Sequence, residues 1–246
     1  MQSYILIIAY NGTNYAGWQV QKDVKTVSSV MQKTFFDIFN QTCTLTAASR
    51  TDAGVHAQGQ VVLCRTNLEL DEKKLLYAWN NALPVDILIR SLEKNNNNFH
   101  PFFNVSFKTY KYTIFTERPL PQIAPFGWYY RYGIDIDILR ESLEIFVGAH
   151  DFKKFCTREF GVSTIRAINN IKVNHYNETI DIFIEGKSFI RHMIRRIVGA
   201  AVLVASNKKY KKAQIQDLLY RKNGLYCFEA APACGLILLE IKYRTL

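Results

Sequence analysis

The 246 residues are 48% apolar and 21% charged, an ordinary globular composition with enough chain for one large domain or two small ones. A formal net charge of +10 and a pI near 9.3 favour a polyanionic partner, either nucleic acid or an anionic membrane surface, and charge alone does not choose between them. The N-terminus has no cationic leader, its apolar run stops at Asn11-Gly12, and Ile197 to Ala205 falls far short of the roughly 20 residues that span a bilayer, so a soluble protein with no membrane partner is expected.

In chain order, residues 4–10 predict a strand, and Val27, Val30, Met31, Phe35, Ile38 and Phe39 then recur at helical spacing. Strand-like runs over 43–49 and 59–66 flank a turn that contains Asp52-Ala53-Gly54. A helix over about 71–83 stops before Pro84, and a strand follows over 86–93. Lys94-Asn95-Asn96-Asn97-Asn98 is polar and aperiodic, which predicts a solvated loop.

The same order then returns. A strand over 105–116 leads to a loop kept extended by Pro119, Pro121 and Pro125, then to a helix over 136–147. Strands over 167–175 and 179–186, a helix over 189–205 and a strand over 236–243 complete it, with an additional helix near 211–221. The expected class is therefore α+β: two ferredoxin-like β-α-β-β-α-β halves, residues 1–98 and 99–246, sharing one continuous, mainly antiparallel sheet flanked by helices.

The five cysteines are an odd number at irregular spacing, without a C-x-x-C pair or a histidine at ligand distance, which suggests a reducing compartment and no structural zinc. H-E-x-x-H, G-x-x-x-x-G-K-[ST] and G-x-G-x-x-G do not occur, so neither a metal nor a nucleotide cofactor is expected.

Asp52 lies in Ser49-Arg50-Thr51-Asp52-Ala53-Gly54-Val55-His56, between two strands. Taken alone, D-A-G is what a tight turn selects for backbone reasons. The wider segment Arg50 to Ala57, followed by Gly59-Gln60-Val61-Val62, closely resembles the signature of TruA-type pseudouridine synthases. The resemblance extends to Tyr10-Asn11-Gly12-Thr13-Asn14-Tyr15-Ala16-Gly17-Trp18-Gln19, to Lys108-Thr109-Tyr110-Lys111-Tyr112, and to Asp151-Phe152 with Phe155. It continues through Ile165-Arg166, Phe189-Ile190-Arg191-His192-Met193-Ile194-Arg195 and Ala231-Pro232-Ala233-Cys234-Gly235-Leu236, and so covers almost the whole chain.

The resemblance implies a cofactor-free isomerase, cytoplasmic and homodimeric, that converts uridine to pseudouridine at positions 38, 39 and 40 of the tRNA anticodon stem-loop. It implies that Asp52 is the nucleophile, that Tyr110 packs on the target uracil and takes the C5 proton, and that Arg195 pairs with Asp52. Arg50 is implied to enter the RNA as the target nucleotide swings out, and Leu236 to line the uracil pocket. By composition alone Tyr110 and Leu236 would be core residues of strands, whereas Arg195 falls at the margin of the stripe Ile190, Met193, Ile194, Ile197, Ala201.

From Lys187 to Lys222 ten Lys or Arg face a single acid, Asp217, which points to a phosphate-tracking surface. Lys208, Lys209, Lys211 and Lys212 are its densest part and Arg191 its start, although single arginines on such a helix ordinarily reach into solvent. Two departures from the family pattern stand out: Phe102 after Phe99-His100-Pro101 where arginine is usual, and Thr26-Val27-Ser28-Ser29 without the usual Q-G. A non-catalytic tRNA-binding protein and a base glycosylase are the rival readings. The intact Asp52, Tyr110 and Arg195 set argues against the first, and free uracil as product would mark the second.

Overall fold

Alternation in β1 (Gln2–Tyr10) turns Tyr4, Leu6, Ile8 and Tyr10 to one buried side, as period-two patterning requires. The computed structural model describes residues 1–96, 99–157, 161–207, 209–221 and 228–244. Its contacts divide the chain into two compact units, Met1–Ser106 with the returning segment from Ile237, and Phe107–Leu236.

In the first unit β1 pairs antiparallel with β3 (His56–Thr66) on one edge and with β4 (Ile87–Lys94) on the other. The far edge of β3 serves two neighbours. β2 (Cys43–Ala47) runs antiparallel to Val62–Thr66, and β10 (Leu236–Tyr243) runs parallel beside His56 and Ala57. A Cβ on Gly59 would stand 2.4 Å from the Leu239 carbonyl oxygen, so only glycine lets β10 come this close.

Helix α1 (Val27–Phe39) begins at a reciprocal capping box, in which the Thr26 side chain accepts from Ser29 N and the Ser29 hydroxyl accepts from Thr26 N. The Thr26-Val27-Ser28-Ser29 departure thus supplies its own cap. The helix ends at Asn40 in the left-handed conformation, φ 48°. Helix α2 (Glu72–Ala82) is capped by Asp71, which accepts from Lys73 N and Lys74 N. Met31 and Phe35 of α1 are buried with Leu75 and Trp79 of α2; the Trp79 ring meets Phe35 edge-on at 4.8 Å and its Nε1 donates to Met31 O at 3.3 Å.

In the second unit β5 (Val105–Phe115), β9 (Thr179–Gly186), β8 (Ile165–His175) and β7 (Gly148–Asp151) lie side by side, antiparallel, with the two-residue β6 (Trp128–Tyr129) parallel to β5. Tyr112, Ile114, Ile180, Ile182 and Ile184 make the buried side. Helix α3 (Ile136–Glu144) packs on α4 (Met193–Ser206) and on β8. On the other side Asp181 accepts from Thr113 Oγ1 at 2.6 Å and lies 3.5 Å from Lys111 Nζ, a cross-strand polar cluster suited to an open sheet face.

The class is the expected α+β, with mostly antiparallel strands flanked by helices. The units differ from halves at 1–98 and 99–246, because the last strand pairs with β3 and joins the first unit. The helix expected from 189 starts at Met193, since His192 adopts φ 64°, outside the helical region. The one expected at 211–221 is a short α5 (Lys212–Gln216) that loosens into a π-turn over Asp217–Arg221. Sequence periodicity does not reveal β6 and β7, which are too short to leave a signal.

Trp79 is fully buried and both its ring and its N–H are used. Trp79→Ala is expected to lower unfolding free energy by about 3–5 kcal/mol, read as a lower urea midpoint at unchanged slope.

Candidate active site

The turn between β2 and β3 carries Asp52, and its backbone is held from several directions. The Gln60 side chain clamps one residue at both ends: Oε1 accepts from Ser49 N at 3.2 Å and Nε2 donates to Ser49 O at 2.5 Å. The buried Tyr10 hydroxyl shares a 2.8 Å hydrogen bond with Thr51 Oγ1, and burial pushes its phenol up to about 12, so it stays neutral. Trp18 N donates to Thr51 O at 3.2 Å and Gly54 N to Tyr15 O at 3.2 Å, while Val55 N closes the turn onto Asp52 O at 3.1 Å. Gly12 N donates to His56 Nδ1 at 3.1 Å, which makes Nδ1 an acceptor and places the proton of the neutral ring on Nε2.

Two glycines permit this. A Cβ on Gly12 would lie 2.0 Å from Val55 O; on Gly17, at φ 91°, it would lie 2.5 Å from Thr51 O. Within this fixed backbone Asp52 is half-buried and Arg50 is exposed.

The second unit holds the other residues singled out by sequence. Tyr110 on β5 is 5% exposed, and the Phe189 ring stands edge-on to it at 5.3 Å. Arg195 is half-buried on α4; its Nε donates to Ala231 O at 2.7 Å, and Ala231 N donates back to Arg195 O at 2.9 Å. Gly199, one turn on, faces Glu229 O, which would lie 2.2 Å from a Cβ there, so the segment before Ala231 rests directly on the helix. Tyr112 donates from its hydroxyl to Pro232 O at 2.8 Å, and Gly235 lies under the Tyr112 ring, where a Cβ would be 2.5 Å from Cζ. The stretch 231–236 is therefore fastened to α4 on one side and to β5 on the other, with Leu236 buried at its end. These contacts bring Arg195, Leu236 and the strand of Tyr110 together.

Among the basic residues, Arg191, Lys209, Lys211 and Lys212 are exposed, but Lys212 is paired with Glu141. Lys208 lies outside the described residues. Phe102 is 55% exposed beside the His100 ring, with no core role to explain it. Among the described residues no three His, Cys, Asp or Glu side chains gather as a metal-holding group, and no helix is long and apolar enough to cross a membrane.

Sequence reasoning misses Tyr10, Gln60 and His56 as site residues. Their signal is a polar group in a strand that is otherwise buried, each of which must find a partner. Lys108 carries the same signal on β5, where period two puts it on the side of Tyr110 and Tyr112.

A family model described as tRNA pseudouridine synthase matches residues 6–104 and 143–244. A protein of Pseudothermotoga lettingae named tRNA pseudouridine synthase A is 35% identical over 246 residues, covering 99% of this chain and all of its own. Proteins of the same name from Aquifex aeolicus and Thermotoga maritima are 34% and 32% identical, covering 98% and 99% of this chain and 99% and 100% of their own. In the crystal structure of a Cbf5-Nop10-Gar1 complex, one chain aligns with 81% of this chain and 54% of its own at 12% identity and a TM-score of 0.32. The match runs through both units and through the segments that hold Asp52 and Arg195, and on that ground the chain belongs to the tRNA pseudouridine synthases, a family of isomerases that act on tRNA.

Proposed function

We propose that this chain isomerises uridine to pseudouridine at positions 38, 39 and 40 of the tRNA anticodon stem-loop, with Asp52 as nucleophile and without a metal or organic cofactor. The observation that carries the reading is the R-T-D-A-G-V-H segment on a rigidly pinned turn, in a chain matched by the family model over 6–104 and 143–244. A carboxylate whose backbone cannot drift needs little reorganisation when it attacks, which suits covalent catalysis.

In this reading Asp52 bonds to the target nucleoside, the C1′–N1 bond breaks with its electron pair leaving on uracil, the base turns, C5 bonds to C1′ as the Asp52 carboxylate is released, and the C5 proton departs while N1 takes one up. Tyr110 packs on the base and receives that proton, and Arg195 is the cation that keeps the Asp52 carboxylate in its reactive form. Leu236 lines the uracil pocket. The target must leave its stack first, at about a few kcal/mol, and the exposed Arg50 enters the RNA in its place. Recognition of the folded tRNA rests on backbone contacts from Arg191, Lys209 and Lys211, with a cytoplasmic homodimer as the working unit.

Asp52→Asn is expected to bind tRNA and fold as the parent does but to release no tritium from C5-labelled uridine. Parent-like release would remove Asp52 from the mechanism, and free uracil in place of isomerised nucleoside would make the enzyme a glycosylase. Arg195→Met is expected to lower saturated turnover far more than affinity, whereas an unchanged turnover with weaker binding would make Arg195 a phosphate contact. Replacing Lys209 and Lys211 by serine should flatten the log–log salt dependence of tRNA binding by about 0.7–0.9 for each phosphate that the protein no longer neutralises. Lys212→Ser should change it less, because Glu141 already neutralises that ammonium.

A further inference from the structure

Lys108 is the one lysine among the buried residues of the described chain, 8% exposed on β5. It shares a strand side with Tyr110, and residues two apart on one side of a strand stand about 7 Å apart, the width of a pyrimidine with its exocyclic oxygens. Across the ladder Lys108 faces Gly186, and Tyr110 faces Ile184. Gly186 offers no side chain; the Phe189 ring occupies that place, 3.0 Å from where a Cβ would be, and the same ring stands edge-on to Tyr110. Lys108 and Tyr110 thus stand buried on one side of β5, with the Phe189 ring beside them.

We propose that Lys108 is a catalytic residue of the isomerisation, an ammonium that holds the negative charge of the uracil once the C1′–N1 bond has broken. This rests on the reading of Tyr110 as the residue against the target base. Breaking that bond leaves the electron pair on N1, delocalised onto O2 and O4. A hydrogen bond from the ammonium to one of these oxygens stabilises the anion without transferring a proton; the charge leaves the base as C5 bonds to C1′ and the Asp52 carboxylate is released with its electron pair, and the later loss of the C5 proton is matched by protonation of N1. Such a contact is stronger in a water-excluded site than in solvent, and it strengthens only as the charge develops, which is the condition for accelerating a step.

The cost of keeping a lysine there supports a functional origin. Burial lowers its ammonium to about 8, so its surroundings disfavour the charged form relative to water.

The test compares the parent with Lys108→Met and Lys108→Gln in single turnover on saturating tRNA, carrying either uridine or 5-fluorouridine at the target. Loss of the original nucleoside is read after quenching and digestion. Fluorine withdraws electrons and makes the departing base a better anion, so the need for Lys108 should shrink. The variants are expected to be slower by about 10²–10³-fold on uridine, at least tenfold less impaired on 5-fluorouridine, within threefold of the parent in tRNA affinity, and no lower in Tm. Equal impairment on both substrates, a normal rate with weakened binding, or a lowered Tm that accounts for the slower reaction would each overturn the proposal. Asp52→Asn is run in parallel: if it remains active the reading of the site itself fails, whereas an inactive Asp52→Asn beside a fast Lys108→Met removes only Lys108.

Discussion

The close approach of two backbones, 11–18 against 49–56, is the constraint on which the first unit's chemistry depends. Gly12 and Gly17 let the chain come within reach of Val55 O and Thr51 O, where any side chain would collide. Trp18 N, Gly54 N and Gly12 N then bond across the gap, and the buried Tyr10 and Gln60 complete the attachment. A turn that in isolation would sample several conformations has its backbone hydrogen bonds engaged on both sides, so the entropy of ordering it is lost on folding and not again when tRNA binds. Replacing either glycine would not remove a functional group, yet it would move the Asp52 carboxylate, the nucleophile of the proposed mechanism.

The second unit fixes its own segment by the same means. Gly199 lets the chain at Glu229 lie on α4, and Gly235 lets the turn before Leu236 lie on the Tyr112 ring. Arg195 and Ala231 then exchange two hydrogen bonds, one of them from the guanidinium Nε. The planar guanidinium so fixed is a geometry that suits a carboxylate. In both units, small residues at points of close contact set the position of larger charged ones a few residues away.

Much of this is legible in the residues. The long alternating strands, the capped helices and the α+β class follow from periods of two and 3.6, and the positions of Asp52, Tyr110 and Arg195 follow from the resemblance of their segments to one family. What escapes is of two physical kinds. Elements of two or four residues, β6 and β7, are held by tertiary pairing and leave no periodic trace. The parallel pairing of β10 with β3 joins positions about 180 residues apart, Ile237 with His56, and no local signal reports such a contact. Lys108 is a different case. It lies in register with Tyr110, Tyr112 and Ile114, so alternation alone places it inside; reading the strand by its apolar members passes over the one charged residue that shares their side.

The chain therefore uses one kind of charge in two environments. Lys209 and Lys211 stand in solvent, where a Debye length of about 8 Å at physiological ionic strength screens them and where their effect on a polyanion is attraction without much geometry. Lys108 is buried and Arg195 half-buried, so their charges are screened much less by dissolved ions. On the proposed roles, affinity for tRNA and stabilisation of the reacting base are supplied by groups that respond differently to salt. An overall charge of +10 can serve capture of the substrate, but in the proposed mechanism the rate of the bound complex depends on the few cations that folding has already withdrawn from water.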